Sequence, residues 1–380
     1  MIHMSPNSKM RRRDVLCAGG AAVFSALTAS LLKDAKPALA EPLSGPVPEV
    51  DRLSVRVVVD AYQIAVAPSV KKDDVEIQRF GWGLSDKTPS GTLQSEFGLS
   101  MHVEAGRGDQ TRNVLVDFGF TPEALVNNLE LLRIDPARLD ALVLSHGHYD
   151  HFGGLVGFLR RYNSRLKPKL PFYVGGEECF CSRQWTAPPQ PGNFGALDRK
   201  ALQNSNLAVT VADRPAVIAD LGFSTGQIDL TSFEQPKPPT VMKIGIDNGS
   251  GCNPASFSEE ERKLGAFPDK FQHEIATSFN LKGRGLVVLS SCSHRGVINA
   301  VKRAQAVSGV PKVHAVIGGF HLAPYPDEYV RQTVAAFQSM GVDYVIPLHC
   351  AGENFYSVAT SQMPAKLLRS YTGTRVVFAS

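Results

Sequence analysis

A layered α/β sandwich is the fold class that this sequence predicts. Short apolar runs typical of strands alternate with stretches typical of helices in the N-terminal and C-terminal parts of the chain. Histidines follow several of these predicted strands in both parts. Because loops at strand ends carry the functional groups of α/β folds, we expect one domain whose two halves meet at a common site.

The elements of the two halves are predicted from their apolar periodicity. In the N-terminal half, the predicted strands are Val55–Asp60, Leu99–Glu104, Val114–Asp117 and Ala141–Leu144, and the predicted helices are Pro122–Leu132 and Phe152–Arg161. In the C-terminal half, the predicted strands are Leu286–Ser290, Val313–Ile317 and Tyr344–Pro347, and the predicted helices are Ile298–Ser308 and Asp327–Met340.

The region from about 177 to 270 lies between these halves and is harder to assign. Proline-rich and glycine-rich pieces interrupt it, and it contains only weak strand signals, at Ala208–Val211 and Gln227–Leu230. We predict that this region is an elaboration over the cleft of a single domain spanning residues 41–380.

An export signal is predicted for residues 1–40. Arg11–Arg13 precede an apolar stretch of small residues from Val15 to Leu32, and Ala38–Ala40 matches the pattern read by signal peptidase. This order of features is typical of a twin-arginine signal peptide, so we expect the twin-arginine machinery as a partner and the periplasm as the location. The alternative is an uncleaved signal that anchors the protein in the membrane. No further membrane span is expected after Ala40.

The charge of the chain argues against a nucleic-acid partner. Residues 1–40 hold six of the 40 Lys and Arg residues but only two of the 36 Asp and Glu residues, so the remainder is formally neutral. The basic character belongs to the export segment. We therefore expect neither nucleic-acid binding nor a polybasic membrane surface, and a small molecule is the expected substrate.

Three imidazoles and one carboxylate lie within six residues, directly after the strand Ala141–Leu144: His146, His148, Asp150 and His151. This density of nitrogen and oxygen donors suits a divalent cation such as zinc. In an extended chain His146 and His148 point to the same side and can share one ion. Asp150 and His151 stand near a helix start and can hold a second ion. The alternative is a histidine-rich surface loop.

The pattern H-x-H-x-D-H at 146–151 resembles the signature of the metallo-β-lactamase superfamily. Three further segments, Ser291–Asn299, Gly318–Leu322 and Pro347–Gly352, narrow the resemblance to the branch named for dihydropterin-ribofuranosylaminobenzene phosphate synthase. The resemblance runs from about Val55 to the C-terminus and implies a four-layer αββα sandwich. One departure is Ala61, where closer members of the branch are expected to have Asn.

The later site residues rest on this resemblance and on their places after strands. The resemblance implies that His349 completes the shell of the second metal and that His294 binds or bridges the first. His321 is predicted to be a ligand or a substrate contact. Asp150 would ligate one ion and orient or deprotonate the attacking water. Arg295 is a candidate for binding a substrate phosphate or carboxylate, with a solvated surface position as the alternative.

The cysteines after residue 40 are odd in number, so they cannot all pair within one chain. At least one is expected to be a free thiol or a ligand. Cys179 and Cys181 are too close in sequence for an easy bridge. Cys292 and Cys350 flank the late histidines and could approach each other or the metals, or serve as small buried packing residues.

Two adjacent divalent ions, zinc in the first instance with iron or manganese as alternatives, predict a metallo-hydrolase. A metal-bound hydroxide would attack a small ester, lactone or phosphodiester. One alternative is the transferase chemistry of the synthase branch, against which export argues because phosphorylated pterin intermediates are cytoplasmic. A second alternative is a non-catalytic metal-binding protein, which would be expected to have a broken ligand set.

Overall fold

Two large β-sheets packed face to face form the centre of this computed structural model. The structure describes residues 41–379, without residues 65, 73, 82–88 and 90. The predicted export signal at 1–40 lies outside the described residues.

The first sheet contains nine strands within the described part of the chain. In spatial order they are Leu207–Val211, Leu170–Val174, Ala141–Leu144, Gln110–Val116, Ser100–Arg107, Arg52–Val59, Arg375–Ala379, Val75–Gln78 and Val70–Lys71. The first four of these strands run parallel to one another, and the others pair antiparallel. The carboxyl ends of the parallel strands therefore meet at one edge of the sheet.

The second sheet has seven strands among the described residues. Six follow one another in space, namely Ala216–Ile218, Gly222–Ser224, Thr277–Leu281, Gly285–Leu289, Val313–Gly319 and Tyr344–Leu348. The seventh, Glu49–Val50, pairs with Thr277–Leu281. The last three strands of the path are parallel, so their carboxyl ends also share one edge.

Alternation of side chains along the strands divides the core into layers. Val143 in the first sheet and Val287 in the second face a shared core between the sheets. Their neighbours Leu142 and Val288 face outward and pack beneath helices. Because successive strand residues point to opposite faces, continuous apolar runs are what a sheet covered on both sides requires.

Helices cover the outer face of each sheet. Pro122–Leu131 and Leu155–Tyr162 pack on the first sheet, and Val297–Ser308, Asp327–Ser339 and Glu353–Gln362 pack on the second. Shorter α-helices are Tyr149–Phe152, Arg199–Gln203 and Glu259–Leu264. The predicted four-layer αββα sandwich is confirmed.

The helix predicted at Phe152–Arg161 is instead two helices, Tyr149–Phe152 and Leu155–Tyr162. They are separated by Gly153 and Gly154, which lie against the backbone of the chain after the strand Gln110–Val116. A β-carbon at either glycine would collide with a carbonyl oxygen. This close approach seats the short first helix, which carries Asp150 and His151, directly on the end of the first sheet.

The segment from 177 to 270 contributes to the large sheets as well as forming structure of its own. Its strand Leu207–Val211 agrees with the prediction, whereas Gln227–Leu230 is not a strand. A small sheet is built from Gly192–Asn193, Ser182–Trp185, Thr240–Lys243 and Ala266–Pro268, and a hairpin from Gly245–Asp247 and Ser250–Cys252. A disulfide joins Cys181 to Cys252 and ties the hairpin to the small sheet.

Among the described residues, no helix combines the length and the apolar character that a membrane span needs.

Candidate metal centre

Strand ends from both sheets deliver the candidate ligands to one place. His146 follows the strand Ala141–Leu144, and His349 follows Tyr344–Leu348. His294 and His321 come after Gly285–Leu289 and Val313–Gly319 in the same way. Because these strands are parallel within each sheet, their carboxyl ends concentrate side chains that are far apart in sequence.

Backbone in the left-handed region is concentrated around this place. Among the described residues other than glycine, ten have positive φ, and five of them belong to the site: Asp117, Phe271, Ser293, His321 and His349. Such conformations are unfavourable for side-chain-bearing residues and persist where the surrounding structure requires them. Here they turn the chain sharply after each strand and aim the side chains inward.

The first group of candidate ligands consists of three imidazoles, from His146, His148 and His294. One nitrogen of each lies within 4.8 Å of one nitrogen of the others. All three residues are buried. His148 Nε2 forms a hydrogen bond with Thr240 Oγ1 at 3.0 Å, so Nδ1 is the nitrogen left to bind an ion.

The second group consists of Asp150, His151 and His349, whose ligand atoms also lie within 4.8 Å of one another. Asp150 Oδ2 is 3.2 Å from His349 Nε2 and 3.7 Å from His151 Nε2. Neither imidazole nitrogen has a well-aligned hydrogen bond, although both are buried. The three side chains converge on a common point and do not bond to one another as ordinary hydrogen-bonded partners do.

Buried polar atoms without partners are the strongest sign of a metal centre. In the described part of the chain they include His146 Nε2, Asp150 Oδ1, His151 Nε2, and both ring nitrogens of His294 and His349. Each unmet buried polar atom costs about 1–3 kcal/mol. A divalent ion in each group would satisfy one nitrogen of each of these imidazoles, so the donor set fits two divalent ions.

Asp117 sets the orientation of one imidazole in each group. Its Oδ2 accepts a hydrogen bond from His151 Nδ1 at 2.8 Å and another from Ser145 Oγ at 2.7 Å. Ser145 Oγ in turn lies 3.0 Å from His146 Nδ1. With both Nδ1 atoms donating toward this network, the Nε2 lone pairs of His146 and His151 are left to face an ion.

Two further carboxylates hold the backbone of the late histidines. Glu274 accepts hydrogen bonds from the His294 and Arg295 backbone N–H groups at 2.8 Å and 2.7 Å. Asp60 accepts the His349 backbone N–H at 2.7 Å, and burial raises the pKa of Asp60 to about 6. The Phe271 ring stacks on His294 with centroids 3.9 Å apart. These contacts thus fix the positions of His294 and His349.

The charges of the ligands suit cation binding. Burial, together with neighbouring imidazoles, lowers the pKa of His146, His148 and His294 well below 6.5, so all three present neutral rings at pH 7. Burial raises the pKa of Asp150, but His151 and His349 outweigh it and lower that pKa. Burial lowers the pKa of His349, yet Cys350 and Asp150 raise it to about 9.

The remaining predicted residues occupy different positions. His321 is half-buried, and its ring lies 4.1 Å from that of His294, at the opening of the site. The Arg295 guanidinium donates to the carbonyl oxygens of Ile228 and Lys270 and so holds two loops together. These bonds give Arg295 a structural task, and its substrate-binding role stays a prediction.

Cys292 and Cys350 are close together beside the site, with sulfur atoms 3.1 Å apart. Both are free thiols, as is the buried Cys179. Sequence reasoning missed the supporting residues Asp117, Glu274 and Asp60. Asp117 and Asp60 each end a predicted strand, which is the signal that could have drawn attention to them.

A family model for the metallo-beta-lactamase superfamily matches residues 99–167 of this chain. The fold is similar to that of a metal-dependent hydrolase of the β-lactamase superfamily solved by crystallography. The TM-score is 0.59 at 22% sequence identity, over 85% of this chain and 98% of that chain. Residues 99–167 and the overall fold are thus similar to those of the metallo-β-lactamase superfamily, whose members bind divalent metal ions and are generally enzymes.

Among curated proteins, the chain is similar to the 7,8-dihydropterin-6-methyl-4-(beta-D-ribofuranosyl)-aminobenzene-5'-phosphate synthase of Methanocaldococcus jannaschii. The identity is 26% over 288 residues, which cover 75% of this chain and 90% of that protein. An uncharacterized protein of the same organism is 26% identical over 273 residues, covering 71% and 89%. The resemblance predicted from the late motifs is confirmed.

We expect Asp117→Asn to weaken zinc binding about 10–100-fold, the usual cost of losing a carboxylate that orients ligating histidines. Asn tolerates the left-handed backbone at this position, so the fold is retained. Titration of the metal-free protein with zinc, with circular dichroism as the check on folding, measures this. Asp140→Asn is the matched control, because Asp140 also accepts a backbone N–H but lies outside the site. An unchanged zinc affinity for Asp117→Asn would contradict the orienting role.

Proposed function

We propose that this protein is a metal-dependent hydrolase of small esters, lactones or phosphodiesters that works with two divalent ions, zinc in the first instance and iron or manganese as alternatives. One observation carries the proposal. Two groups of buried ligand residues, one with three imidazoles and one with a carboxylate and two imidazoles, adjoin each other, and most of them have ligand atoms without protein partners. His146, His148 and His294 would hold one ion, and Asp150, His151 and His349 the other.

When bound, a pair of divalent ions supplies Lewis acidity that activates a water molecule and polarises a carbonyl or phosphoryl oxygen. The protein must then position that water and manage its proton. Asp150 is suited to this task because Oδ2 faces His151 and His349, whereas Oδ1 has no partner among the described atoms. Oδ1 is the oxygen that would orient the water and accept its proton.

Aromatic rings border both groups of ligands. Phe97 lies beside His349 with ring centroids 4.8 Å apart, and its side chain is 54% exposed. On the other side, Phe194 lies 5.3 Å from His148 and packs against Trp185. An exposed ring such as that of Phe97 beside a polar site favours a substrate with an apolar or planar portion next to the bond that reacts.

A second candidate function is a metal-dependent transferase. The observation that favours it is the likeness to the synthase of Methanocaldococcus jannaschii, which extends over 90% of that protein. The same ligands and the same aromatic border could hold a planar, phosphorylated aminobenzene substrate. Two features favour the hydrolase over the transferase. One is Ala61, where closer members of the synthase branch are expected to have Asn, and the other is the predicted export of this chain.

Hydrolysis of a substrate panel distinguishes these candidates. We expect the purified protein to cleave at least one of a carboxyl ester, a lactone, a phosphodiester and a β-lactam, to lose that activity with a chelator, and to regain it with added zinc, iron or manganese. Asp150→Asn should lower kcat about 10²–10⁴-fold because the proton acceptor is lost.

Asp51→Asn is the control for this experiment, since Asp51 accepts a backbone N–H on the far surface and should leave kcat unchanged. Full metal loading without hydrolysis of any member of the panel would contradict the hydrolase and favour the transferase. A protein that binds no divalent metal would contradict both.

We propose in addition that the protein is exported to the periplasm by the twin-arginine machinery. The arginine-led apolar segment at 11–32 supports this, and so does the disulfide between Cys181 and Cys252, because disulfides persist in oxidising compartments. Removal of residues 1–40 would release a soluble enzyme, whereas an uncleaved signal would leave it anchored.

Replacing Arg11–Arg13 by lysine should retain the precursor in the cytoplasm of a bacterial host that has this machinery. The unaltered chain should reach the periplasm and begin at Glu41, as read by N-terminal sequencing of the fractionated protein. Lys33→Arg with Lys36→Arg conserves charge outside the arginine motif and should not affect export. Equal cytoplasmic retention of all three chains would contradict the proposal.

A further inference from the structure

We propose that Cys292 is a sulfur ligand shared between the two groups of imidazole and carboxylate ligands. The proposal rests on the metal centre proposed above and adds a thiolate to its donors. Nothing in the H-x-H-x-D-H pattern requires this residue, because Cys292 follows a strand of the opposite sheet and is far away in sequence.

The position of the Cys292 sulfur carries the proposal. The atom lies within 4.8 Å of ligand atoms from both groups, and its neighbours at that distance are His146 and His151, His294 and His321, and His349 and Cys350. Two of these residues, His146 and His294, belong to the first group, and two, His151 and His349, to the second. A sulfur atom at this place would be within reach of an ion held by either group.

The surroundings of Cys292 leave its sulfur available. The residue is 3% exposed, so solvent does not compete for it. Its polar contacts are Cys350 Sγ at 3.1 Å and His321 Nδ1 at 3.7 Å. The unpartnered Nε2 atoms of His146 and His151 point into the same space. A cation bound by those nitrogen atoms would also be close to the Cys292 sulfur.

Cys350 is placed differently, although it is adjacent to His349 in sequence. Its sulfur accepts the His321 backbone N–H at 3.3 Å and lies 3.6 Å from the Cys292 carbonyl oxygen. The Cys350 sulfur clusters with ligand atoms of Cys292 and His349 within 4.8 Å, and this cluster contains no residue of the first group. Cys350 therefore supports the turn that carries His321 and provides a matched comparison for Cys292.

The bond-forming step is simple. The Cys292 S–H bond breaks, the proton leaves to solvent, and a sulfur lone pair forms a bond to the ion, with no change in oxidation state. Thiolate is a soft donor, so zinc or ferrous iron should be bound in preference to manganese or magnesium. The sulfur ligand thus narrows the choice of metal that the nitrogen and oxygen ligands leave open.

Cobalt substitution tests this directly. The full chain after export is reduced, stripped of metal and loaded with Co²⁺, and its bound cobalt and near-ultraviolet absorption are measured. We expect a thiolate-to-cobalt charge-transfer band in the unaltered protein, in Cys350→Ser and in Cys179→Ser, whose sulfur lies away from the site. The band should be lost in Cys292→Ser.

Several results would overturn the proposal. Two bound cobalt ions without the band in the unaltered protein would leave the metal centre standing and remove Cys292 from it. Retention of the band in Cys292→Ser, or its loss in Cys350→Ser alone, would do the same. No bound cobalt at all would contradict the metal centre itself.

If Cys292→Ser fails to fold, X-ray absorption at the zinc edge of the unaltered protein answers the same question. A sulfur scatterer at about 2.3 Å from zinc is expected. A shell of nitrogen and oxygen only would overturn the proposal. A disulfide between Cys292 and Cys350 in the metal-loaded protein, found by mass spectrometry, would also overturn it.

Discussion

The fold of this protein depends on satisfying a cluster of buried ligand atoms. Imidazole nitrogens from His146, His151, His294 and His349 are enclosed without protein partners, between two sheets that are otherwise filled with aliphatic side chains. Burial without compensation is costly, and a cation is the group that matches this donor set. We therefore expect metal binding to stabilise the two-sheet arrangement, because neither half of the chain supplies a complete set of ligands.

Much of the fold was predictable because its strands are buried on both faces. Continuous apolar runs such as Leu286–Ser290 are recognisable from sequence, and each predicts a strand followed by a functional loop. The strands Thr277–Leu281 and Arg375–Ala379 were not predicted. The first carries polar residues that pair across the sheet, and the second closes the first sheet from the opposite end of the chain, so local periodicity gives little indication of either.

The candidate ligands were predictable for a different reason. His146, His148, Asp150 and His151 are dense in sequence, and the structure brings them together with His294 and His349. The residues that orient these ligands are scattered along the sequence. Asp117 reaches His151 across 34 positions in sequence, and Asp60 reaches the backbone of His349 across 289. Such long-range hydrogen bonds follow from sheet order and register, which single-sequence patterns do not specify.

The central claim is that two adjacent groups of ligands hold two divalent ions. Anomalous diffraction from crystals of the protein purified without chelator tests this most directly, with data collected on either side of the absorption edge of the metal found by elemental analysis. We predict two anomalous peaks, one bound by His146, His148 and His294 and the other by Asp150, His151 and His349. A single peak outside both groups, or none in protein that is folded and active, would contradict the account.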